Sequence, residues 1–231
     1  MRRQLIASCA LASLVGLASP SFAANGNIGM FFDTGAAICQ SDVPCGTPVT
    51  MYVFALLQGA SGIGLTGAEY KIQVGPTNSA DPGWFFTEAF DPSATVVGAG
   101  SLTPVDNSLR GVNVAWPSCQ VGDGTKVLIE TVTIFNSCNS AELALKVVKH
   151  DSASNQFFQC PLFTLCDDPI FTKVCLGSNQ ALCRNPEPPN PNNATCSTSG
   201  QAYLNPGPTR NCTVAVNEAT WSTVKSLYGS R

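Results

Sequence analysis

From Asn27 to about His150 the chain alternates short β-branched and aromatic runs with clusters of Gly, Pro, Asn and Asp. That is the punctuation of strands and turns. Strands are expected at 28–32, 49–57, 68–74, 84–90, 95–97, 111–116, 126–135 and 143–149. Eight strands with no helical period between them indicate a mainly β fold, an antiparallel β-sandwich. In the run Lys126 to Phe135, Glu130 and Thr131 interrupt an otherwise apolar strand, and period-2 alternation puts Val132, Ile134 and Leu128 on one face. In Val49 to Leu57 both alternating sets are largely apolar, the pattern of a central strand covered on both sides.

After His150 the pattern changes. Phe157-Phe158-Gln159-Cys160 opens a stretch rich in cysteine, and Arg184-Asn185-Pro186-Glu187-Pro188-Pro189-Asn190-Pro191 within it cannot form regular helix or sheet. An irregular, disulfide-rich extension is expected here, its bridges standing in for a core too small to build. The last stretch regains a helical period: Trp221, Val224 and Tyr228 share one face, with Leu227 at its edge. Asn217 can cap its start and Gly229 can end it, so a short C-terminal helix is expected. The organisation is then 1–23 leader, 24–153 sandwich and 154–231 Cys-rich extension with the helix.

The leader is read from Arg2 and Arg3, an apolar run from Leu5 to Leu17, a break at Ser19-Pro20, and small residues at Ser21 and Ala23. This is the layout of a secretory signal peptide cut before Ala24, and its apolar run is well short of the roughly 20 residues that span a bilayer. Cleavage removes Cys9 and leaves ten cysteines: Cys39, Cys45, Cys119, Cys138, Cys160, Cys166, Cys175, Cys183, Cys196 and Cys212. An even number in an exported chain points to disulfides. Zinc would want close CxxC pairs and histidine, whereas His150 is the sole imidazole. Proximity favours Cys39 with Cys45, Cys119 with Cys138 and Cys196 with Cys212 among many possible pairings. Cleavage also takes the formal charge from −3 to −5 by removing two arginines. An acidic chain with scattered lysines offers no general attraction to nucleic acid, and no membrane attachment is expected once the leader is gone.

Catalytic chemistry is hard to assemble from these residues. A serine or cysteine hydrolase needs a base, and His150 stands at the end of an expected strand. Glycoside hydrolysis needs two opposed carboxylates; Glu69, Glu88, Asp81, Asp91 and Asp167-Asp168 are the candidates. Asp33, Asp42, Asp123 and Asp167-Asp168 could give oxygens to calcium, although no EF-hand spacing is present; no other cofactor is implied. The glycines 59, 62, 64 and 67 are followed by a strand rather than a helix, which argues against a phosphate loop. Trp84 and Trp116 are candidates for stacking on a ligand, with core packing as their alternative role. Asn193-Ala194-Thr195 and Asn211-Cys212-Thr213 have the form of glycosylation sequons.

Gly64-Leu65-Thr66-Gly67-Ala68-Glu69-Tyr70-Lys71-Ile72, following the strand that carries Val53 to Leu57, resembles the opening of cohesin-like β-sandwich modules. Cys212-Thr213-Val214-Ala215-Val216 followed by Thr220-Trp221 through Leu227-Tyr228 resembles the C-termini of uncharacterised secreted bacterial proteins that share a Cys-rich stretch. The second resemblance implies a bacterial, exported setting and no activity; the absence of assembled catalytic chemistry favours a secreted, extracellular or periplasmic, noncatalytic structural or adhesive module. Its partner would be a protein or polysaccharide at the cell surface. The alternatives are a carbohydrate-binding module, which requires coplanar exposed aromatics, and a secreted hydrolase, which requires converging acids.

Overall fold

The computed structural model describes residues 25–58, 64–75, 83–97, 111–151, 153, 154, 158, 160–167, 173–175 and 201–206. The expected leader, the C-terminal helix, both sequons and the Cys196–Cys212 pairing lie outside the described residues.

Two sheets face each other. The first has the order β1 (Asn25–Phe31), β3 (Val49–Gln58), β8 (Lys126–Asn136), β5 (Trp84–Phe90), all antiparallel. The second is built around β4 (Leu65–Val74), which pairs with β7 (Val112–Gln120), β9 (Leu143–Val148) and β10 (Leu162–Leu165). β6 (Thr95–Val97) extends it beside β7, β11 (Lys173–Cys175) beside β10, and β12 (Gln201–Leu204) beside β9. The two-residue strand β2 (Gln40–Ser41) pairs with β12 in parallel. All eight expected strands are present, and β3 is central in its sheet. The inner positions of both sheets, among them Ile28, Met51, Val53, Tyr70, Ile72, Trp84, Ile134 and Leu145, form one continuous core.

Of the stretch after His150, β10, β11 and β12 pair into the second sheet, and Phe163, Leu165, Val174, Ala202 and Leu204 join the main core. The bridges therefore add to a core that these strands share. Gly26 in β1 leaves room for the Phe163 ring, which a Cβ there would overlap.

Period-2 reasoning fails at one point in β8. Val53 is opposite Glu130 but Phe54 is opposite Leu128, so Ile129 is an extra residue in a β-bulge. The bulge reverses the alternation: Ile129 and Glu130 are both buried, while Leu128 is exposed on the outer face. Leu128 therefore does not share a face with Val132 and Ile134. A one-residue insertion turns every later side chain over.

The disulfides also differ from near-neighbour pairing. Cys45 is bonded to Cys138, 93 residues away, and Cys119 to Cys166, 47 residues away; Cys39 and Cys160 are disulfide-bonded as well. Neither Cys39–Cys45 nor Cys119–Cys138 exists, because strand order rather than distance along the chain decides which thiols meet. The loop before β3 lies against the turn after β8: Gly46 N donates to Asn136 O at 2.9 Å. The buried Asn136 amide donates to Val43 O (2.9 Å) and Asn139 O (2.8 Å) and accepts from Asn139 N at 2.7 Å. Cys119 and Cys166 flank the start of β4, where Cys166 N donates to Gly64 O at 3.0 Å. A Cβ on Gly64 would overlap the Gln120 carbonyl and crowd Cys119 Sγ.

Candidate functional site

The outer face of the first sheet is one candidate surface. The register sets its outward residues in rows across β5, β8 and β3: Phe85 beside Phe135; Thr87, Thr133 and Thr50; Ala89, Thr131 and Tyr52; then Leu128 beside Phe54. None of these ten carries a charge; Lys126 stands at the end of the strip, its Nζ 5.9 Å from the Phe54 ring centroid. Phe85 is 56% exposed, and Phe135 and Leu128 are exposed too. The Phe85 and Phe135 rings lie 6.2 Å apart at 53°, a tilted pair rather than a shared plane. Tyr52 and Phe54 stack 6.1 Å apart at 23°. Singly scattered apolar residues are ordinary on a surface, whereas a contiguous exposed apolar patch is a candidate interaction face.

Trp84 and Trp116 are not on it. They are 2% and 6% exposed, respectively, and belong to the core, so neither offers a ring face to a ligand. In the run Trp84-Phe85-Phe86 composition cannot say which aromatic points outward; alternation against β8 turns Trp84 in and Phe85 out.

The acids present a second candidate. Phe90 is opposite Glu130 and Glu88 opposite Val132, so Glu88 and Glu130 project diagonally from neighbouring strands onto the same inner face. Glu130 is 1% exposed. Burial raises its carboxyl pKa well above the usual range, the Glu88 charge raises it further, and the Tyr70 hydroxyl from β4 across the core opposes both. The phenol acts on the carboxyl at close range, yet neither its oxygen nor either Glu130 oxygen makes a well-aligned hydrogen bond. Sequence reasoning passed over Glu130 as a site residue, although the signal was visible: a carboxylate inside an apolar strand. The two acids stand side by side on one sheet rather than opposed across a cleft, and Glu130 is sealed from solvent. That is not the arrangement glycoside hydrolysis requires.

Other candidates are occupied by structure. His150 is buried with its ring packed on Gly111, where any Cβ would collide with it. The six cysteines 39, 45, 119, 138, 160 and 166 are all bonded. Asp33 Oδ1 accepts from the backbone N–H groups of Ala37 and Ile38 at 2.9 and 2.6 Å. Asp123 is held well below the usual carboxylate range by Lys126 and by hydrogen bonds from Thr125. Among the described residues no group of three or more His, Cys, Asp or Glu side chains converges on a metal position. Among them, too, no helix is long and apolar enough to cross a membrane.

No family model and no curated protein matches the chain. Among solved structures, it is similar to the cohesin module of a family 33 glycoside hydrolase from Clostridium perfringens. The two share 13% identity over 66% of this chain and 89% of that one, with a TM-score of 0.38. A type I cohesin from Pseudobacteroides cellulosolvens aligns at 8% identity, covering 81% and 95% of the two chains with a TM-score of 0.39. A type III cohesin module from the cell-surface anchoring scaffoldin of Ruminococcus flavefaciens gives 12% identity, 78% and 87% coverage, and a TM-score of 0.34.

The sandwich assignment rests on this chain's own strand pairing, and the site assignments on its own side chains. On that basis Phe85, Phe135 and Leu128 on the outer strip of the first sheet are accessible, with Phe54 at its end only 6% exposed, whereas the acid pair is enclosed.

Proposed function

We propose that the chain is an exported, noncatalytic binding module that docks a protein partner on the outer face of its first sheet. The observation that carries this reading is the uncharged strip from Phe85 and Phe135 to Leu128. Exposed aromatic residues without intervening charge match the composition of protein–protein interface centres. A polysaccharide would be better served by coplanar rings, and the Phe85–Phe135 pair is tilted by 53°. Its partner surface is accordingly apolar and uncharged. Export is supported by the leader-like opening residues and by the disulfides, which persist in oxidising compartments.

A benzoylphenylalanine photocrosslinker in place of Phe85 tests this on the cells that export the protein. We expect one dominant protein adduct, reduced at least tenfold by L128E or F135E, with melting temperature unchanged because both positions are exposed. The same crosslinker at Lys146, exposed on β9 of the other sheet, should give no such adduct. Equal adducts from positions 85 and 146, or none from position 85, would overturn the reading.

A further inference from the structure

The outer face of the second sheet carries a built hollow. There β6, β7, β4 and β10 lie side by side, and the register aligns their residues in two rungs: Val97, Asn113, Glu69 and Leu162, then Thr95, Ala115, Gly67 and Thr164. Gly67 and Ala115, the two smallest, occupy the middle of the second rung. A Cβ on Gly67 would meet the Val114 carbonyl oxygen at 3.0 Å and no side chain within 4 Å. Thr95 and Thr164 flank this low floor, and Ser154 and Phe158, from the connection after β9, wall one end. The hollow is open to solvent and holds about 300 Å³.

Glu69 lines the hollow at 4% exposure. Its Oε2 accepts from Ser154 N at 3.0 Å. Lys71, two positions along the same face, donates to both oxygens of Asp151 at 2.8 and 2.7 Å. Among the described residues no cation pairs with Glu69. A buried carboxylate with one hydrogen bond and no countercharge is costly unless something supplies that charge.

We propose that this hollow binds a primary alkylammonium group. The nitrogen sits against Glu69, where its three N–H donors can also reach the Asn113 side-chain oxygen and a threonine hydroxyl. The alkyl chain lies over Gly67 and Ala115, with Phe158 and Val97 beside it. A quaternary ammonium would want a cage of aromatic faces, whereas Phe158 is the one aromatic among the described lining residues. The group belongs to a small free amine or to a lysine side chain of another protein. The inference does not depend on the docking strip, which lies on the other sheet.

The test is an amide-shift titration of the full, disulfide-bonded chain with n-butylammonium, n-butanol, methyl glucoside, and acetylated tripeptides carrying central lysine or norleucine. Saturable shifts at Gly67, Asn113 and Ala115 are expected with butylammonium and not with butanol. E69Q, which keeps an acceptor for Ser154 N–H, weakens binding at least tenfold. A115L, which fills the hollow from an exposed position, does the same and serves as the second variant should E69Q fail to fold. Binding of the lysine but not the norleucine tripeptide assigns a lysine side chain; binding of butylammonium alone assigns a free amine. Equal shifts from butanol, shifts from methyl glucoside alone, no saturable ammonium binding, or unweakened binding by E69Q would each overturn the proposal.

Discussion

Replacing Cys45 and Cys138 together by alanine should lower the unfolding free energy by about 4.6 kcal/mol, the chain-entropy value for a loop of this length. With each kcal/mol worth about 2–4 °C in a domain of this size, the midpoint should fall by roughly 9–18 °C in calorimetry. The bridge joins residues 93 apart and closes the same end of the sandwich that Asn136, Asn139 and Asn205 knit together. Asn205 Oδ1 accepts from Val43 N at 2.8 Å and its Nδ2 donates to Asn139 O at 3.0 Å. Those bonds keep the native geometry in place, so the loss falls on the unfolded chain, which gains the freedom the bridge withheld. Cys138 also has a φ of +71°, a conformation that costs a non-glycine residue about 1–2 kcal/mol. Pairing Cys45→Ala with Cys138→Gly should therefore recover part of the loss. A double-alanine variant melting with the oxidised wild type would show that the bridge constrains nothing.

That bridge illustrates what the residues disclosed and what they withheld. Strand positions were legible because β-branched runs and turn residues are local signals, and the eight strands expected from Ile28 to Lys149 formed close to their expected bounds. Pairings between distant segments were not. Cys45 meets Cys138 because β3 and β8 are neighbours, a fact of sheet order that spacing does not encode. The bulge at Ile129 is a second case, since a single extra residue exchanges the inner and outer faces and so hides Leu128's exposure. The docking strip was obscured for a related reason: Trp84, Phe85 and Phe86 are all aromatic, and only pairing with β8 decides which faces water. The hollow at Gly67 depends on a rung drawn from four strands, invisible until their register is known. The carboxylate of Glu130, by contrast, interrupts its apolar strand in plain view, and the general expectation that charges avoid cores identifies it as unusual.

Substituting Glu130 by glutamine should stabilise the protein at pH 8 and do progressively less as the pH falls toward 4. The folded-state pKa is raised, first by burial and then by the Glu88 charge, while the unfolded carboxyl titrates in the ordinary range near 4.3. Below that value both states hold the proton and the glutamate costs nothing electrostatic. As the pH rises from there to the folded pKa, the unfolded state releases its proton and the folded state does not, so stability is lost at up to about 1.4 kcal/mol per pH unit. Glutamine has no proton to lose and removes this slope. The charged groups facing this position are Glu88 on β5 and, when ionised, Tyr70 on β4; Tyr70's own pKa is raised well above 10 by burial and by Glu130, so it stays neutral across the range. The size of the gain should be on the order of 1–4 kcal/mol at pH 8, the range found when buried ion pairs are replaced by neutral side chains. Urea unfolding of both proteins at pH 4, 6 and 8 would measure it. A constant difference across the three would mean that folding leaves the Glu130 carboxyl unshifted, whereas a loss that grows with pH would mean that Glu130 is ionised in the fold and held by a cation, making the enclosed acid pair a binding centre.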